Sequence, residues 1–484
     1  MINLKIVSKI LGILLSIEAL FLLGCAAFPL YYKENDLVPF VVSAGITAFI
    51  GLILFFIGKN ASNKISRKDG YIIVTLSWLS FTTLGMLPYV IGNYTQSVAN
   101  AFFETMSGFT TTGATILDNI ESLPHGILFW RSLTQWLGGL GIVFFTIAVL
   151  PIFGSGGIKM FAAETTGPTH SKLHPRLDVT AKWIWTIYIT ITILETVLLL
   201  AGDMPWFDSI CTSLSTAATG GYSVRQNSIA AYNSPYIEYI VTLFMFISGI
   251  NFTLLYVATL KKQPVKLLKD LEFRWYMGSA GSFIAFITIA LMLSTSMNLE
   301  QCFRLAAFQV VSLQTTTGFG TADYMLWPSC TWLVLCFAMI IGACAGSTTG
   351  AIKCIRIAML FKIVKNHFKH MLHPNAVLPL RVNGIVIQAE IKNSLLAFFF
   401  VYITIFLFGW LYMLTVGVNF MEAFSVTLSS LGNVGPGLGK YGPAYTWNAL
   451  PDAAKWGCSA LMLIGRLEIF SVLLILSPEF WKKH

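Results

Sequence analysis

The stretch that decides the fold is Ser312–Gly320, Ser-Leu-Gln-Thr-Thr-Thr-Gly-Phe-Gly, which follows a short apolar run and is flanked by two much longer ones. Variants of this stretch occur at three other places, Thr110–Ala114, Ser215–Tyr222 and Ser430–Gly437. Each of the four includes a Thr-Gly or Val-Gly step, and the steps recur roughly every hundred residues, as in a long-period repeat. Four copies of one loop predict four walls around one axis.

The composition is that of an integral membrane protein. Of the 484 residues, 56% are hydrophobic and only 11% are charged, whereas about 25% of the residues of a soluble protein are charged. The net charge of +9 requires no more than an excess of Lys and Arg in cytoplasmic loops. We therefore expect the lipid bilayer, and no nucleic acid, as a partner. The eight cysteines are scattered singly, which predicts neither a disulfide framework nor a zinc site.

Ten apolar stretches reach the length of about 20 residues that a helix needs to cross the bilayer. They are Ile6–Phe28, Leu37–Ile57, Tyr71–Ile91, Ile127–Ile152, Val179–Leu200, Tyr236–Leu260, Trp275–Leu293, Trp332–Val364, Ile391–Val416 and Ala453–Leu476. Four shorter apolar stretches have the length of re-entrant or buried helices, and these are Ala99–Phe109, Phe207–Thr216, Cys302–Gln314 and Met421–Ser430. Each short stretch precedes or runs into one of the four glycine-containing loops.

Basic residues predict the orientation of the chain, because Lys and Arg are enriched on the cytoplasmic side of membrane proteins. They cluster after the second, fourth and sixth spans, around the end of the eighth span and at the end of the chain, with Lys59, Lys64, Arg67, Lys68, Lys159, Lys172, Arg176, Lys182, Lys261, Lys262, Lys266, Lys269, Lys353, Lys392, Lys482 and Lys483 among them. The opposite loops are poor in both residues. Both termini are therefore expected in the cytoplasm, and the four glycine-containing loops are expected to face outside.

The predicted fold class is an all-α polytopic membrane protein. After two extra transmembrane helices, the pattern of span, short helix, loop and span occurs four times. We therefore predict four pseudo-symmetric helix–pore loop–helix repeats around one pore. The predicted division is residues 1–68 for the two N-terminal helices, then 69–153, 154–262, 263–370 and 371–484 for repeats 1 to 4.

The four loops are predicted to form an ion selectivity filter. Backbone carbonyls can replace the water of a dehydrated monovalent cation, and glycine allows the backbone to turn its carbonyl towards the axis. The C-terminal ends of the four short helices would add partial negative charge near the ion. Glycine-rich loops are often ordinary turns, but four that each follow a helix too short to span favour a filter. The predicted filter residues are Thr111, Thr112, Gly113, Ala218, Thr219, Gly220, Thr316, Thr317, Gly318, Asn433, Val434 and Gly435.

A gate is predicted in the eighth span, where apolar sequence runs from Trp332 to Val364 but contains a run of small residues. The candidate gate residues of this run are Gly346, Ser347, Thr348, Thr349 and Gly350. Small residues lower helix propensity and let the backbone unwind in the membrane. Close packing between helices is the alternative interpretation.

Arg466 is the other candidate gate residue, because it lies near the middle of the last span. An arginine at that depth costs from about 3 to more than 10 kcal/mol, so it must face a polar cavity or a partner. A pair with Glu468 is one interpretation, but residues two apart do not share a helical face. We expect Arg466 to face the pore and to oppose cation passage.

These motifs closely resemble the TrkH branch of the Trk/Ktr/HKT superfamily of potassium transporters, over essentially the whole chain. Thr-Gly-Ala-Thr, Thr-Gly-Gly-Tyr-Ser, Thr-Thr-Thr-Gly-Phe and Gly-Asn-Val-Gly-Pro-Gly occur in the family's order, together with Gly346–Gly350 and Gly465–Phe470. The two additional N-terminal spans favour the TrkH branch over the shorter KtrB branch.

The resemblance implies potassium uptake across the bacterial cytoplasmic membrane through a gated single-chain pore, with no cofactor in this chain and K⁺ as the permeating ion. It implies one filter glycine in each repeat, namely Gly113, Gly220, Gly318 and Gly435. Glycine at the first position is the family's potassium-permissive residue, whereas serine there would indicate sodium. The resemblance also implies a homodimer and a separate cytosolic ring of the TrkA type that binds nucleotides and controls opening.

Two other functions stay open at this point. A sodium- or proton-coupled potassium symporter of the same fold needs as little as one carboxylate for coupling, and the sequence does not separate it from a channel. A polytopic membrane enzyme, for instance one that acts on lipid-linked substrates, would be expected to carry paired carboxylates or an acidic-basic cluster at a membrane surface. No such constellation is found in the sequence, so we do not expect an enzyme.

Overall fold

The computed structural model describes residues 2–61, 65–139, 141 and 177–482. The part of the predicted fourth span that follows residue 141 lies outside the described residues, as do Lys64, Lys159, Lys172, Arg176 and Lys483. The predicted repeat boundaries stay predictions.

Helices make up most of the described chain. Before the first short helix they are Leu4–Cys25, Ala27–Tyr32, Leu37–Gly58, Arg67–Gly85 and Leu87–Ile91. Up to residue 259 they are Val98–Phe109, His125–Gly139, Leu177–Ala201, Trp206–Ala217, Pro235–Ser248 and Phe252–Thr259. Up to residue 372 they are Pro264–Lys269, Leu271–Ser294, Leu299–Gln314, Ser329–Ile340 and Cys354–Leu372. The last ones are Ala389–Thr415, Phe420–Gly432, Asp452–Arg466, Phe470–Leu476 and Pro478–Trp481. A small antiparallel hairpin pairs Arg381–Val382 with Ile385–Val386.

Six helices in the described part are long and apolar enough to cross a membrane, and they coincide with six of the predicted spans. They are Leu4–Tyr32, Leu37–Gly58, Lys68–Ile91, Lys182–Ala201, Leu271–Ser294 and Ala389–Thr415. Large apolar side chains on their outer faces, such as Phe400, Phe408 and Leu293, are exposed. In a soluble protein so much exposed apolar surface would promote aggregation, whereas lipid covers it in a membrane protein.

The four short helices are called pore helices 1 to 4 below. They are Val98–Phe109, Trp206–Ala217, Leu299–Gln314 and Phe420–Gly432. Side-chain caps begin two of them, because Ser97 accepts from the N–H of Asn100 and Asn298 from the N–H of Gln301. A short 3₁₀ helix follows each pore loop, and these are Ile120–Ser122, Ser228–Tyr232, Tyr324–Leu326 and Gly439–Tyr441. The predicted fourfold use of one unit is thus visible in the order of the elements.

The sixth and tenth predicted spans are broken in the structure, a feature that the length of the two apolar stretches did not predict. Pro235–Ser248 and Phe252–Thr259 meet at 104°, and Asp452–Arg466 and Phe470–Leu476 meet at 114°. The first break lies at Gly249–Asn251, where the Asn251 side chain caps the second helix. At the second break, Glu468 and Ile469 have positive φ, a conformation that residues other than glycine rarely adopt.

The eighth predicted span is also broken, as the small-residue interpretation predicts. Ser329–Ile340 ends, residues 341–353 form a loop, and Cys354–Leu372 begins a new helix. Residues 341–353 are called the gate loop below. Its Gly346 has φ of +73°, a conformation that glycine adopts without a steric cost. Close packing of one continuous helix is therefore excluded as the explanation of these small residues.

Candidate functional site

Equivalent hydrogen bonds place the four pore loops in one register. In each loop a backbone N–H donates to the carbonyl of a serine in the last turns of the preceding pore helix. The four bonds are Thr112 to Ser107 at 2.9 Å, Gly220 to Ser215 at 2.9 Å, Thr317 to Ser312 at 2.8 Å and Val434 to Ser429 at 2.9 Å. The residue before each donor is left-handed, and these residues are Thr111, Thr219, Thr316 and Asn433. The residue after each donor is a glycine with positive φ, and these glycines are Gly113, Gly221, Gly318 and Gly435.

This register corrects the glycine chosen for the second repeat. Gly221, with φ of +82°, is the counterpart of Gly113, whereas Gly220 occupies the position of Thr112. The sequence alignment matched one Thr-Gly step to another, but the second loop carries glycine at two consecutive positions. Gly220 still lies in the filter segment, but one residue before Gly221, which is the true counterpart of Gly113.

The four glycines encircle a common centre. A side-chain Cβ at any one of them would lie less than 3.0 Å from a carbonyl oxygen of the next loop, a distance that real Cβ atoms essentially never show. The pairs are Gly113 with Gly220 O, Gly221 with Thr317 O, Gly318 with Val434 O and Gly435 with Thr112 O. The contacts run from the first loop to the second, third and fourth and back to the first. They therefore form a closed ring of backbone, with each glycine beside the carbonyl that precedes its neighbour.

Each pore loop forms one wall of the ring, and hydrogen bonds between threonine hydroxyls brace two of these four walls. Thr110 Oγ1 lies 2.9 Å from Thr112 Oγ1 in the first loop, and Thr315 Oγ1 lies 2.8 Å from Thr317 Oγ1 in the third. Asn433 Nδ2 donates to Thr112 Oγ1 at 3.1 Å and so joins the fourth wall to the first. These groups are all buried, where a satisfied hydrogen-bond network fixes the conformation that it connects.

A buried ion pair supports the segments that follow the first two pore loops. Arg131 Nε lies 3.0 Å from Glu104 Oε1, and both side chains are almost fully buried. Arg131 also donates to the carbonyl of Ser223 at 2.9 Å, and Glu104 accepts from the N–H of Ile116 at 3.0 Å. The sequence analysis missed this pair. A signal was available, since both charges lie inside or at the edge of apolar stretches, where a charge needs a partner.

The gate loop contacts two of the pore loops and the C-terminal end of pore helix 4. Gly350 N donates to Thr316 Oγ1 at 2.8 Å, and Thr348 Oγ1 lies 3.2 Å from Thr219 Oγ1. Ala351 N donates to the carbonyl of Gly432 at 2.9 Å, at the C-terminal end of pore helix 4. The sequence-predicted gate and filter residues are therefore in direct contact.

Charged side chains surround the gate loop. Arg466 donates from Nη1 to Thr348 O and from Nη2 to Gly138 O, both at 2.7 Å, and so joins the loop to another helix. Lys353 Nζ donates to Gly350 O at 3.2 Å. Glu468, which lies in the second helix break, accepts a hydrogen bond from Arg356 of helix Cys354–Leu372. Arg466, Lys353 and Glu468 line a cavity beside the loop, which agrees with the expected polar surroundings of Arg466.

Comparisons with known proteins point to cation transport. A sequence profile of the TrkH family, described as a cation transport protein, matches residues 40–483. The Trk system potassium uptake protein TrkH of Halomonas elongata is 35% identical over 483 residues, which cover 99% of this chain and 100% of that protein. The protein of the same name from Vibrio parahaemolyticus is 36% identical with 98% of each covered, and TrkG of Escherichia coli is 32% identical with 99% of each covered. The crystal structure of the potassium transporter TrkH from Vibrio parahaemolyticus matches with a TM-score of 0.89, at 35% identity and over 99% of both chains.

Proposed function

Because the chain belongs to the TrkH family of cation transport proteins, we propose that it takes up potassium through the ring of four glycines. The family consists of transporters, so the chain is not a membrane enzyme. The observation that carries the proposal is the closure of the ring by four equivalent contacts within one chain. The protein is a multi-pass membrane protein, and the ring gives it one pore with four non-identical walls.

The ring supplies what a dehydrated cation requires. The carbonyls of Thr112, Gly220, Thr317 and Val434 each lie beside a glycine of the adjacent loop, where no side chain blocks the approach. Backbone carbonyls replace the hydration water of potassium, and irregular backbone is tolerated at membrane depth where it lines such a pathway. We infer that potassium binds to these oxygens and to those of the flanking residues.

The pore helices favour a cation over an anion. Each pore helix ends one or two residues before the left-handed residue of its loop, so its C-terminal end lies beside the ring. The C-terminal end of a helix carries about half a negative charge. Four such ends attract a cation without a ring of carboxylates.

We propose that the gate loop closes the pathway on the inner side of the filter. Its contacts with Thr219, Thr316 and Gly432 put it against two of the pore loops and the C-terminal end of pore helix 4. Arg466 and Lys353 donate to its carbonyls and add positive charge at this level. Opening then requires the loop to leave Arg466 and the pore loops together.

The remaining features of the proposal concern location and assembly. We propose that the chain lies in the bacterial cytoplasmic membrane with both termini in the cytoplasm, which the distribution of Lys and Arg supports. We further propose a homodimer that a separate cytosolic ring of the TrkA type opens when it binds a nucleotide. K⁺ is the permeating ion, and no cofactor in this chain takes part.

A flux assay tests the proposed function. We expect purified protein in liposomes to conduct potassium and rubidium in preference to sodium and lithium, because the carbonyl ring replaces the weaker hydration shells of the larger ions. Potassium flux no greater than that of protein-free liposomes, both for the wild type and for the variant Arg466→Ala with its weakened gate, would contradict the proposal. Reversal potentials then separate a channel from the sodium- or proton-coupled symporter, since a channel follows the Nernst potential of potassium alone.

Gly113→Ser is expected to reduce potassium flux strongly and, in the flux that remains, to raise sodium permeability relative to potassium. The new Cβ would meet the carbonyl of Gly220, so the first and second walls must separate and the ring loses its geometry for potassium. The measurement is the sodium-to-potassium permeability ratio from bi-ionic reversal potentials. Gly417→Ser is a matched control, because its φ of +92° imposes the same left-handed strain while the added Cβ meets open space, and it is expected to leave the ratio unchanged. An unchanged ratio in Gly113→Ser would remove Gly113 from the filter.

A further inference from the structure

Gln135 belongs to helix His125–Gly139, but its side chain binds the second pore loop. Its Nε2 donates to the carbonyl of Gly220 at 2.7 Å. Its Oε1 accepts from the N–H of Tyr222 at 3.1 Å and from Ser215 Oγ at 2.6 Å. The residue is fully buried, so one side chain fixes the second loop on both sides of Gly221.

The second wall is braced internally by Thr219, whose Oγ1 donates to the carbonyl of Ala218 at 2.7 Å, but this bond does not reach the Gly220 carbonyl. The first and third walls each hold a pair of threonine hydroxyls, whereas Ala218 and Gly220 occupy the equivalent positions in the second wall. The fourth wall has Val434 there, whose buried side chain packs in an apolar cluster with Leu428 and Met339. Gly220 also has more backbone freedom than threonine or valine. Without an external contact, its carbonyl could rotate away from the axis.

Gln135 occupies the space that a side chain at residue 220 would need. A Cβ on Gly220 would lie less than 3.0 Å from Cδ and Oε1 of Gln135. Threonine at this position therefore requires the Gln135 side chain to leave its present conformation. The serine bonds support the same exchange, since Ser107 and Ser312 donate to the carbonyls of Ala114 and Phe319 in their own loops, while Ser215 donates to Gln135.

We propose that Gln135 is a specificity-determining positioning residue, which replaces the missing side chain of the second filter wall and holds the Gly220 carbonyl in the ring. The inference rests on the proposed potassium filter and extends it to a residue outside the four pore loops. A hydrogen bond from the carboxamide fixes the direction of this carbonyl while leaving its second lone pair free for the ion. Loss of this bond loosens one wall and lowers the preference for potassium.

Gln135→Met tests the inference, because methionine has a similar length and shape but neither donates nor accepts as the carboxamide does. We expect potassium flux to persist and the sodium-to-potassium permeability ratio to rise about fivefold, the effect of one net hydrogen bond. Thr47→Val is the control, since it removes one hydrogen bond of an equally buried side chain in helix Leu37–Gly58, outside the four pore loops, and its ratio should stay at the wild-type value. Should Gln135→Met not yield folded protein, Gly220→Ala displaces the same carboxamide from the opposite side and should raise the ratio likewise.

A rescue separates this role from simple packing. The triple variant Gln135→Ala, Ala218→Thr and Gly220→Thr gives the second wall the hydroxyl pair of the first, and we expect its ratio to return towards wild type. Provided that the wild-type protein selects potassium, two outcomes would overturn the inference. One is a wild-type sodium-to-potassium permeability ratio in Gln135→Met, and the other is a triple variant that is no more selective than Gln135→Ala alone. Absence of potassium flux both in the wild type and in Arg466→Ala would instead overturn the proposed function.

Discussion

Gly221→Ala is expected to abolish potassium uptake, with flux reduced about a hundredfold or more. The new Cβ would meet the carbonyl oxygen of Thr317, which is backbone and cannot turn aside. Alanine at φ of +82° adds the cost of a left-handed residue. The two effects together amount to about 3 kcal/mol against the conducting ring, or about a hundredfold. Rubidium uptake into liposomes, or growth of an uptake-deficient strain at low potassium, measures the loss.

Gly220→Ala is the matched control for this prediction. Its Cβ would meet the end of the flexible Gln135 side chain, so the ring keeps its backbone and uptake stays measurable with a weaker preference for potassium. The reverse outcome, a conducting Gly221→Ala and a silent Gly220→Ala, would contradict the register derived from the backbone hydrogen bonds. It would restore Gly220 as the filter glycine of the second repeat.

Arg466→Ala is expected to raise basal potassium flux in the absence of any regulatory partner. The substitution removes the two hydrogen bonds that join Thr348 O and Gly138 O, and it removes a positive charge beside the pathway. A unit charge about 10 Å from an ion opposes it by about 1.7 kcal/mol at an effective dielectric constant of about 20, or roughly fifteenfold in rate. Loosening of the gate loop acts in the same direction. Single-channel or liposome flux recordings of the purified protein alone measure the change.

Two controls separate charge from anchoring at Arg466. Arg466→Lys keeps the charge but loses the two-pronged contact, so an intermediate flux is expected. Lys440→Ala removes a positive charge on the proposed outer side and should leave basal flux at the wild-type value. Basal flux of Arg466→Ala equal to that of the wild type would restrict Arg466 to a structural role.

The sequence by itself determined the membrane class, the four pore helices and the unwound gate loop. These features depend on local properties, namely the length of an apolar run and the presence of small residues within it. Val98–Phe109 is too short to span, whatever it packs against, and residues 342–351 are poor helix formers in any surroundings. The family resemblance rests on the same local motifs, and the comparisons confirm it.

Only the tertiary structure decided which glycine of the second loop joins the ring and what holds that loop in place. Residues 220 and 221 are both glycine, and only the contacts of Gly220 with Gln135 and of Gly221 with Thr317 distinguish their positions. The Glu104–Arg131 pair and the breaks in the sixth and tenth spans escaped prediction for a related reason. Each depends on how segments that are distant in the chain pack together. The sequence alone does not determine which buried groups come into contact.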